Sequence, residues 1–473
     1  MTLLLCAACR TATPPPAVLP VIPEPAEWRM LDGSFTVTAK TAISVPDANA
    51  EWTAHWFADL VARTRGLSFP VVRTAAPRSI SFALDDRLTS DEGYELRVAR
   101  DGITVSARDR RGLLYGAVTL WQLLTTGASQ RLPAVEIRDQ PRFAWRGLML
   151  DSARHYQSPE FIERFIDTMA LHKLNTLHWH LTDDQAWRLE IKKYPKLAEI
   201  GGWRRPAGAA ASRVIGGVYT QETVRRLVAY AAARGITIVP EIEMPGHATA
   251  AIVAYPQLAS TEQPPDAVPS DWGVYHNLYN VEESTFAFIE DVLDEVMALF
   301  PSRYIHIGGD EAVKDQWKAS PQIQARMREL GVPDETKLQS YFTQRIEKFL
   351  SSRGRRLIGW DEILEGGIAP DATVMSWRGI DGAVAAARSG HDAVLSPWPT
   401  LYFDNRVSAH QDFPPGRGRV MTVEEVYAFD PLPPALTPEE STHILGVQGN
   451  LWTEHIRTED RVEYMAWPRG AAV

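Results

Sequence analysis

From Pro141 onward, short apolar runs alternate with stretches whose apolar residues recur every three to four positions. The runs are GLMLDSAR, NTLHWHLTDD, ITIVPEIEMPGH, YIHIGGDE, RLIGWDE, TVMSWRG, AVLSPW and ILGVQGNLWTE. Each has strand length and ends in polar residues, and helical patterns fall between several of them. Ser158 and Pro159 supply an N-cap and a first-turn proline for one helix. Residues 220–234 form another, closed by Gly235, and residues 284–300 a third, with Phe288, Val292, Leu293 and Val296 at helical spacing. Eight buried strands alternating with helices predict an α/β fold, a (β/α)8 TIM barrel over residues 141–473. The stretch 20–140 has a different texture. SFTVTAKTAISV, SISFALDD, GYELRVA and GITVSAR read as strands and RRGLLYGAVTLWQLL as a helix, which predicts a small α+β companion domain.

Composition narrows the function. The 473 residues suit a barrel of about 250 residues or more plus a companion. The formal net charge of −10 argues against nucleic acid or an anionic membrane surface and suits a neutral ligand. The only cysteines are Cys6 and Cys9, so neither a disulfide framework nor a cysteine-rich metal site is available. Residues 1–19 read as the remnant of an export signal and a linker, with proline-rich sequence between residues 13 and 25. Ala7-Ala8-Cys9 partly resembles a bacterial lipoprotein cleavage site, which predicts an exported protein, periplasmic or held at the outer membrane by a lipid on Cys9. The alternative is an unstructured start from a misplaced initiator. No later apolar run approaches the ~20 residues of a membrane span.

Barrels of this kind carry their chemistry at the C-terminal ends of the strands. Arg154, Asp183, His247, Asp310, Glu311, Trp360, Trp377 and Trp452 all fall there. Gly308 and Gly309 permit a sharp turn that can aim Asp310 and Glu311 into the barrel mouth. Glycoside hydrolysis needs a proton donor and a stabiliser of developing positive charge, so one carboxyl with a raised pKa beside an ionised neighbour would serve. For an isolated Gly-Gly-Asp-Glu, acids decorating a helix start are the commoner case; the other decorated strand ends reverse that preference. His178 and His180 share one strand face. They could hold a metal, but they are read as buried histidines hydrogen-bonded to acids such as Asp183 and Asp184. No metal and no cofactor are expected. Trp360, Trp377 and Trp452 end three different strands and suggest walls of one pocket, with Tyr402 and Asp404 after the seventh. Arg154 offers a fork of donors for vicinal hydroxyls, or a salt bridge to Asp151.

Taken together, HIGGDE, LDSARHY, HWHLTDDQ, EIEMPGH, GWDEI and QGNLWTE resemble the motifs of family 20 glycoside hydrolases, the β-N-acetylhexosaminidases, and the resemblance runs from about residue 20 onward. It implies an exo-acting enzyme that removes terminal N-acetylglucosamine or N-acetylgalactosamine by a retaining, substrate-assisted route. Glu311 would be the general acid/base, and Asp310 would orient the 2-acetamido group whose oxygen attacks the anomeric carbon. Tyr402 would bond the acetamido carbonyl, and Trp360, Trp377 and Trp452 would line its pocket. Arg154, Asp404 and Glu454 would bind ring hydroxyls, and Asp183 and His247 would support the site. An inactive N-acetylglucosamine-binding relative is the alternative. Two departures stand out. Glu243 occupies a position where the family usually has Asp, which puts the geometry of its expected partner His247 in question. The sequence also carries only a turn or two of the eighth helix, so apolar surface beside the first and eighth strands is expected to lie bare.

Overall fold

Alternation of buried and exposed side chains builds the first unit, residues 1–141. In β5 (Tyr94–Ala99) and β6 (Gly102–Ala107), Tyr94, Leu96, Val98, Ile103, Val105 and Ala107 are buried and the positions between them are not. With β1 (Glu27–Thr36), β2 (Ile43–Ser44), β3 (Val71–Val72), β4 (Ile80–Leu84) and β7 (Arg131–Asp139) they form one sheet in the order β1-β7-β5-β6-β4-β2-β3. Two helices, α1 (Glu51–Arg65) and α2 (Arg110–Thr125), close its core. The computed structural model describes residues 19–126, 129–206 and 213–473, so the expected export signal and Cys9 lie outside the described residues.

Three local expectations are corrected here. The run SFTVTAKTAISV is not continuous strand: β1 ends at Thr36 and β2 begins at Ile43. Helix α1 was not expected, although Thr53, Ala54, Phe57, Leu60 and Val61 carry a helical spacing and are all buried. Leu19 and Val21 are buried in the core of this unit, so the proline-rich stretch is anchored at that point.

The second unit, residues 142–473, is the expected closed barrel of eight parallel strands. They are β8 (Trp145–Asp151), β9 (Thr176–His180), β10 (Thr237–Glu241), β11 (Tyr304–His306), β12 (Arg356–Trp360), β13 (Thr373–Ser376), β14 (Ala393–Leu395) and β15 (Ile444–Leu451). They follow one another around the barrel in chain order, and β15 closes on β8. Helices α3 (Pro159–Leu171), α4 (Gln221–Ala233), α5 (Glu283–Leu299), α6 (Glu335–Ser352) and α7 (Asp381–Arg388) follow individual strands, whereas β12 is followed only by a short 3-10 turn at Asp361–Leu364. Ser158 caps α3 by accepting from the Phe161 N–H, as its sequence predicts.

Period-two alternation divides the barrel into two layers. Leu177, Trp179, Ile305 and Leu357 join the apolar shell between strands and helices. Trp145, Met149, Val239, Ile358, Trp360, Met375 and Val394 cluster separately inside the barrel. The interior is not purely apolar, since His178, His180, Glu241 and His306 are all fully buried. After β15, α8 (Glu459–Ala466) buries Val462, Met465 and Ala466, and Trp467 lies 6.1 Å from the Phe165 ring. The buried Arg469 guanidinium donates to the carbonyls of Phe403, Asn405 and Met465. The residues after β15 thus pack against α3 and the segment after β14 at these positions.

Replacing Leu357, fully buried between strand and helices, by Ala removes contacts that the shell cannot fully close over. Denaturant unfolding is expected to give a loss of about 2–5 kcal/mol; a loss below about 1 kcal/mol would show that this layer is not close-packed.

Candidate active site

β11 ends at His306, and the backbone then turns left-handed at Gly308 (φ 66°) and Gly309 (φ 93°). A side chain at Gly308 would also collide with Glu243, whose Oε2 stands 1.6 Å from the position a Cβ would take. The first glycine thus both turns the chain and makes room for a buried acid. Beyond the turn, Asp310 is 8% exposed while the Glu311 side chain is 40% exposed. The adjacent acids therefore occupy different surroundings. Glu311 holds φ 45° and His247 φ 49°, a region that residues with side chains rarely adopt. Those two strained residues meet: His247 Nε2 lies 3.6 Å from both Asp310 Oδ2 and Glu311 Oε2.

Behind His247 runs a chain of alternating charge. Its Nδ1 is 3.2 Å from Asp183 Oδ1 and 3.1 Å from Asp184 Oδ2. Asp183 Oδ2 is 2.8 Å from Arg154 Nη2 and 3.0 Å from His180 Nε2. His180 Nδ1 is hydrogen-bonded to Glu241 Oε2. Glu241 Oε1 accepts from Trp360 Nε1 at 2.8 Å and lies 2.9 Å from His306 Nδ1, and Oε2 is 3.1 Å from His178 Nε2. Burial opposes every one of these charges, but the partners win. His180 is pushed up to about 10 by Glu241 and Asp183. His247 is held well above its usual value by Asp183 and Asp310. Asp183 lies well below the carboxylate range through Arg154 and His247, and Glu241 likewise through its three histidines. His178 is the exception, since burial lowers it to about 4.

The expected histidine pairing is corrected in one respect. His180 does meet Asp183, but His178 meets Glu241 and the Gln448 side chain instead of Asp183 or Asp184. Nor is Glu243 the partner of His247. Both Glu243 oxygens lack a hydrogen-bond partner, and burial, with Asp310 and Glu241 nearby, pushes its carboxyl well above the ordinary range. The doubt about the dyad is thus resolved: aspartates 183 and 184 hold His247, and Glu243 sits beside them as a neutral acid. The acid pair departs from expectation too. Glu311 is lowered, not raised, because the His247 contact outweighs burial.

Four sets of residues among those described bring histidine and carboxylate atoms within 4.8 Å of one another: His178, Glu241 and His306; His180, Glu241 and Glu243; Asp183, Asp184 and His247; His247, Asp310 and Glu311. All are segments of the same charge chain.

In front of the chain lies a cleft of about 440 Å³ lined by Arg154, His247, Asp310, Glu311, Trp360, Trp377, Tyr402, Arg417, Trp452 and Glu454. Of the predicted site residues, only Asp183 and Asp404 stand behind this wall. Trp360 and Trp452 are 5.8 Å apart, Trp377 and Tyr402 6.2 Å, and the Arg154 guanidinium lies 5.0 Å over Trp452. Arg154 spends most of its donors on protein: Asp183, Gln185 Oε1 at 3.0 Å and Asp151 at 3.4 Å. Burial raises the Tyr402 phenol well above 10, so it is a neutral hydroxyl. Burial also raises Asp404 to about 7, and neither of its oxygens has a hydrogen-bond partner.

Sequence reasoning missed three contributors. Arg417 reaches Asp404 at 3.4 Å and Glu454 at 3.3 Å, held in place by its backbone N–H on the Asp404 carbonyl. It opens a short strand, Arg417–Val420, paired with Asn405–Arg406, and no periodic signal marks it. Glu362 accepts from Trp377 Nε1 at 2.9 Å, and burial lifts it to about 8. Glu241 is the third; as an acid inside an otherwise apolar strand, it did carry a signal.

Strand-end acids beneath an aromatic cleft on a parallel barrel define a site of the glycoside-hydrolase type. The chain belongs to glycosyl hydrolase family 20: the catalytic-domain model of that family matches residues 143–473, and its domain 2 model matches residues 18–140. A β-hexosaminidase of Porphyromonas gingivalis is 45% identical over 96% of this chain, which spans 60% of that protein's length. One from Vibrio furnissii is 37% identical over 97% of this chain and 76% of its own. The family 20 exo-β-N-acetylglucosaminidase of Vibrio harveyi, solved with N-acetylglucosamine, superposes with a TM-score of 0.86 at 34% identity, covering 96% of this chain and 72% of that one. The β-N-acetylhexosaminidase of Streptomyces coelicolor gives 0.83 at 32%, covering 96% and 90%.

Gly308→Ala places a methyl against the Glu243 carboxyl and forces a left-handed backbone on a residue that resists it. It is expected to lose at least about 1–2 kcal/mol of stability and at least about tenfold in turnover. A variant that melts and turns over like the wild type would show that the turn does not set the acid pair.

Proposed function

We propose that this chain is an exo-β-N-acetylhexosaminidase that acts by a retaining mechanism in which the substrate's own acetamido oxygen is the nucleophile. The observation that carries this reading is the pairing at His247. His247 Nε2 lies 3.6 Å from an oxygen of Asp310 and 3.6 Å from one of Glu311, so one imidazole gathers both acids at one place in the cleft. Glycosidases that use two protein carboxylates set them on either side of the scissile bond. Two acids gathered on one side leave the attack to the substrate.

The roles follow from the surroundings. Asp310, buried at the cleft base, orients and polarises the acetamido N–H as its carbonyl oxygen closes on the anomeric carbon. The neutral Tyr402 hydroxyl donates to that carbonyl oxygen, and Trp360, Trp377 and Trp452 wall the group in. Glu311, more exposed, gives its proton to the leaving oxygen and later takes one from water. Its unliganded pKa is lowered, so the bound sugar has to expel water and loosen the His247 contact to restore the proton. Arg154 and Glu454, which line the cleft, offer groups for ring hydroxyls, and Asp404 stands behind them beside Arg417. The substrates are neutral glycans ending in N-acetylglucosamine or N-acetylgalactosamine. The sequence of residues 1–19 supports export, with a lipid anchor at Cys9.

Two measurements bear on this. Aryl N-acetyl-β-glucosaminide is expected to be hydrolysed at least about a thousandfold faster than the matching aryl β-glucoside, because the loss of an intramolecular nucleophile is costly. Similar rates would rule out substrate assistance, and hydrolysis of neither would leave only a sugar-binding protein. His247→Gln removes the positive charge that lowers Glu311. The Glu311 pKa then rises, the acid keeps its proton to higher pH, and the alkaline limb of kcat/KM is expected to move upward. An unchanged or downward-shifted limb would show that His247 does not govern the acid.

A further inference from the structure

We propose that Glu241 is a positioning residue for the reaction: it is the inner anchor of the chain of hydrogen bonds and ion pairs His180–Asp183–His247 that aims the acid pair, and its other oxygen fixes the Trp360 wall. The inference rests on the proposed reaction at Asp310 and Glu311 and extends it to a carboxylate that touches neither substrate nor reacting atoms.

The geometry is specific. Glu241 is fully buried at the end of β10, and side chains from three other strands converge on it. His178 and His180 come from β9, His306 from β11 and Trp360 from β12. A carboxylate without partners in that interior would be very costly, so its charge and the orientation of its partners are set together. One oxygen holds the Trp360 indole N–H at 2.8 Å. The other holds His180 Nδ1, which turns the opposite ring nitrogen, Nε2, to Asp183 at 3.0 Å. Asp183 Oδ1 in turn lies 3.2 Å from His247 Nδ1, whose hydrogen bond goes to the adjoining Asp184 at 3.1 Å, and Nε2 is left between the two catalytic acids. A histidine whose ring is fixed at one nitrogen presents the other in a defined direction, which is how a remote carboxylate orients a catalytic imidazole. Loosening Glu241 would free His180 to rotate and would remove the charge that holds it protonated, two links behind the acid pair.

Glu241→Gln keeps the size of the side chain and an acceptor oxygen for Trp360, and removes the charge that His180 needs. With aryl N-acetyl-β-glucosaminide, kcat is expected to fall at least about tenfold while KM changes less than about threefold, since the aromatic wall survives. The discriminating readout is a double-mutant cycle with His247→Gln. If both act through one chain, the double variant is expected to fall no more than about threefold below the worse single variant. Losses that multiply, or a Glu241→Gln enzyme with wild-type kcat, would overturn the placement of Glu241. If Glu241→Gln does not fold, as judged by circular dichroism and a thermal melt, His180→Asn breaks the same chain one link outward and replaces it in the cycle with the same expectations. Wild-type turnover in the same assay separates the two readings. A wild type that hydrolyses the acetamido substrate while the losses multiply overturns only the role of Glu241; a wild type that does not hydrolyse it overturns the reaction itself and, with it, the role built on that reaction.

Discussion

Two carboxylates on adjacent residues can face one cleft together only if positive charge is held between them, and here that charge is on His247. Its Nε2 stands equally far from Asp310 and Glu311, on a backbone strained to reach that point. An imidazolium buried this deeply exists only because carboxylates surround it, and those carboxylates exist in the interior only because Arg154 and His180 face them. Removing any member strands a charge in a low-dielectric interior, at a cost of several kcal/mol. The barrel supplies the partners because inward-facing positions on neighbouring strands fall side by side.

This arrangement explains the unequal treatment of the acids in the barrel mouth. Glu241 and Asp183 lie below the carboxylate range because histidine or arginine holds them closely, whereas Glu243, 4.0 Å from His180 and without a hydrogen bond, is pushed well above it by burial and by Asp310 and Glu241. Glu362 and Asp404 are lifted to about 8 and about 7 by burial, with weaker cationic help. Glu362 and Asp404 thus stand behind the cleft lining as easily neutralised acids, while ionised Asp183 lies beside His247. One chemical group takes different charge states according to what stands beside it.

The barrel was legible because each strand is buried on both faces and so reads as an unbroken apolar run, and because the residues that do chemistry interrupt those runs at one end. Asp310 and Glu311 were legible through the glycines that turn the chain. Tyr402 and the tryptophans were legible because each closes a separate strand or loop. Arg417 was not, since its place depends on the short strand Arg417–Val420 pairing back beside Asp404. The partner of His178 was misassigned because closeness along the chain was taken for closeness in space: His178 meets Glu241, on the neighbouring strand β10, and not Asp183 or Asp184. The direction of the Glu311 shift was also beyond the sequence, because it is set by a contact with a residue from another strand.

The central claim is that the protein aims the substrate's amide instead of attacking with a side chain of its own. It is tested most directly by the binding of a sugar-fused thiazoline, a stable mimic of the cyclic intermediate, measured by calorimetry against N-acetylglucosamine. The account predicts that the mimic binds at least about a hundredfold more tightly than the sugar, as expected for an analogue of a high-energy state, and that Asp310→Asn abolishes the difference. Equal binding of the two ligands, or an advantage that survives Asp310→Asn, would contradict it.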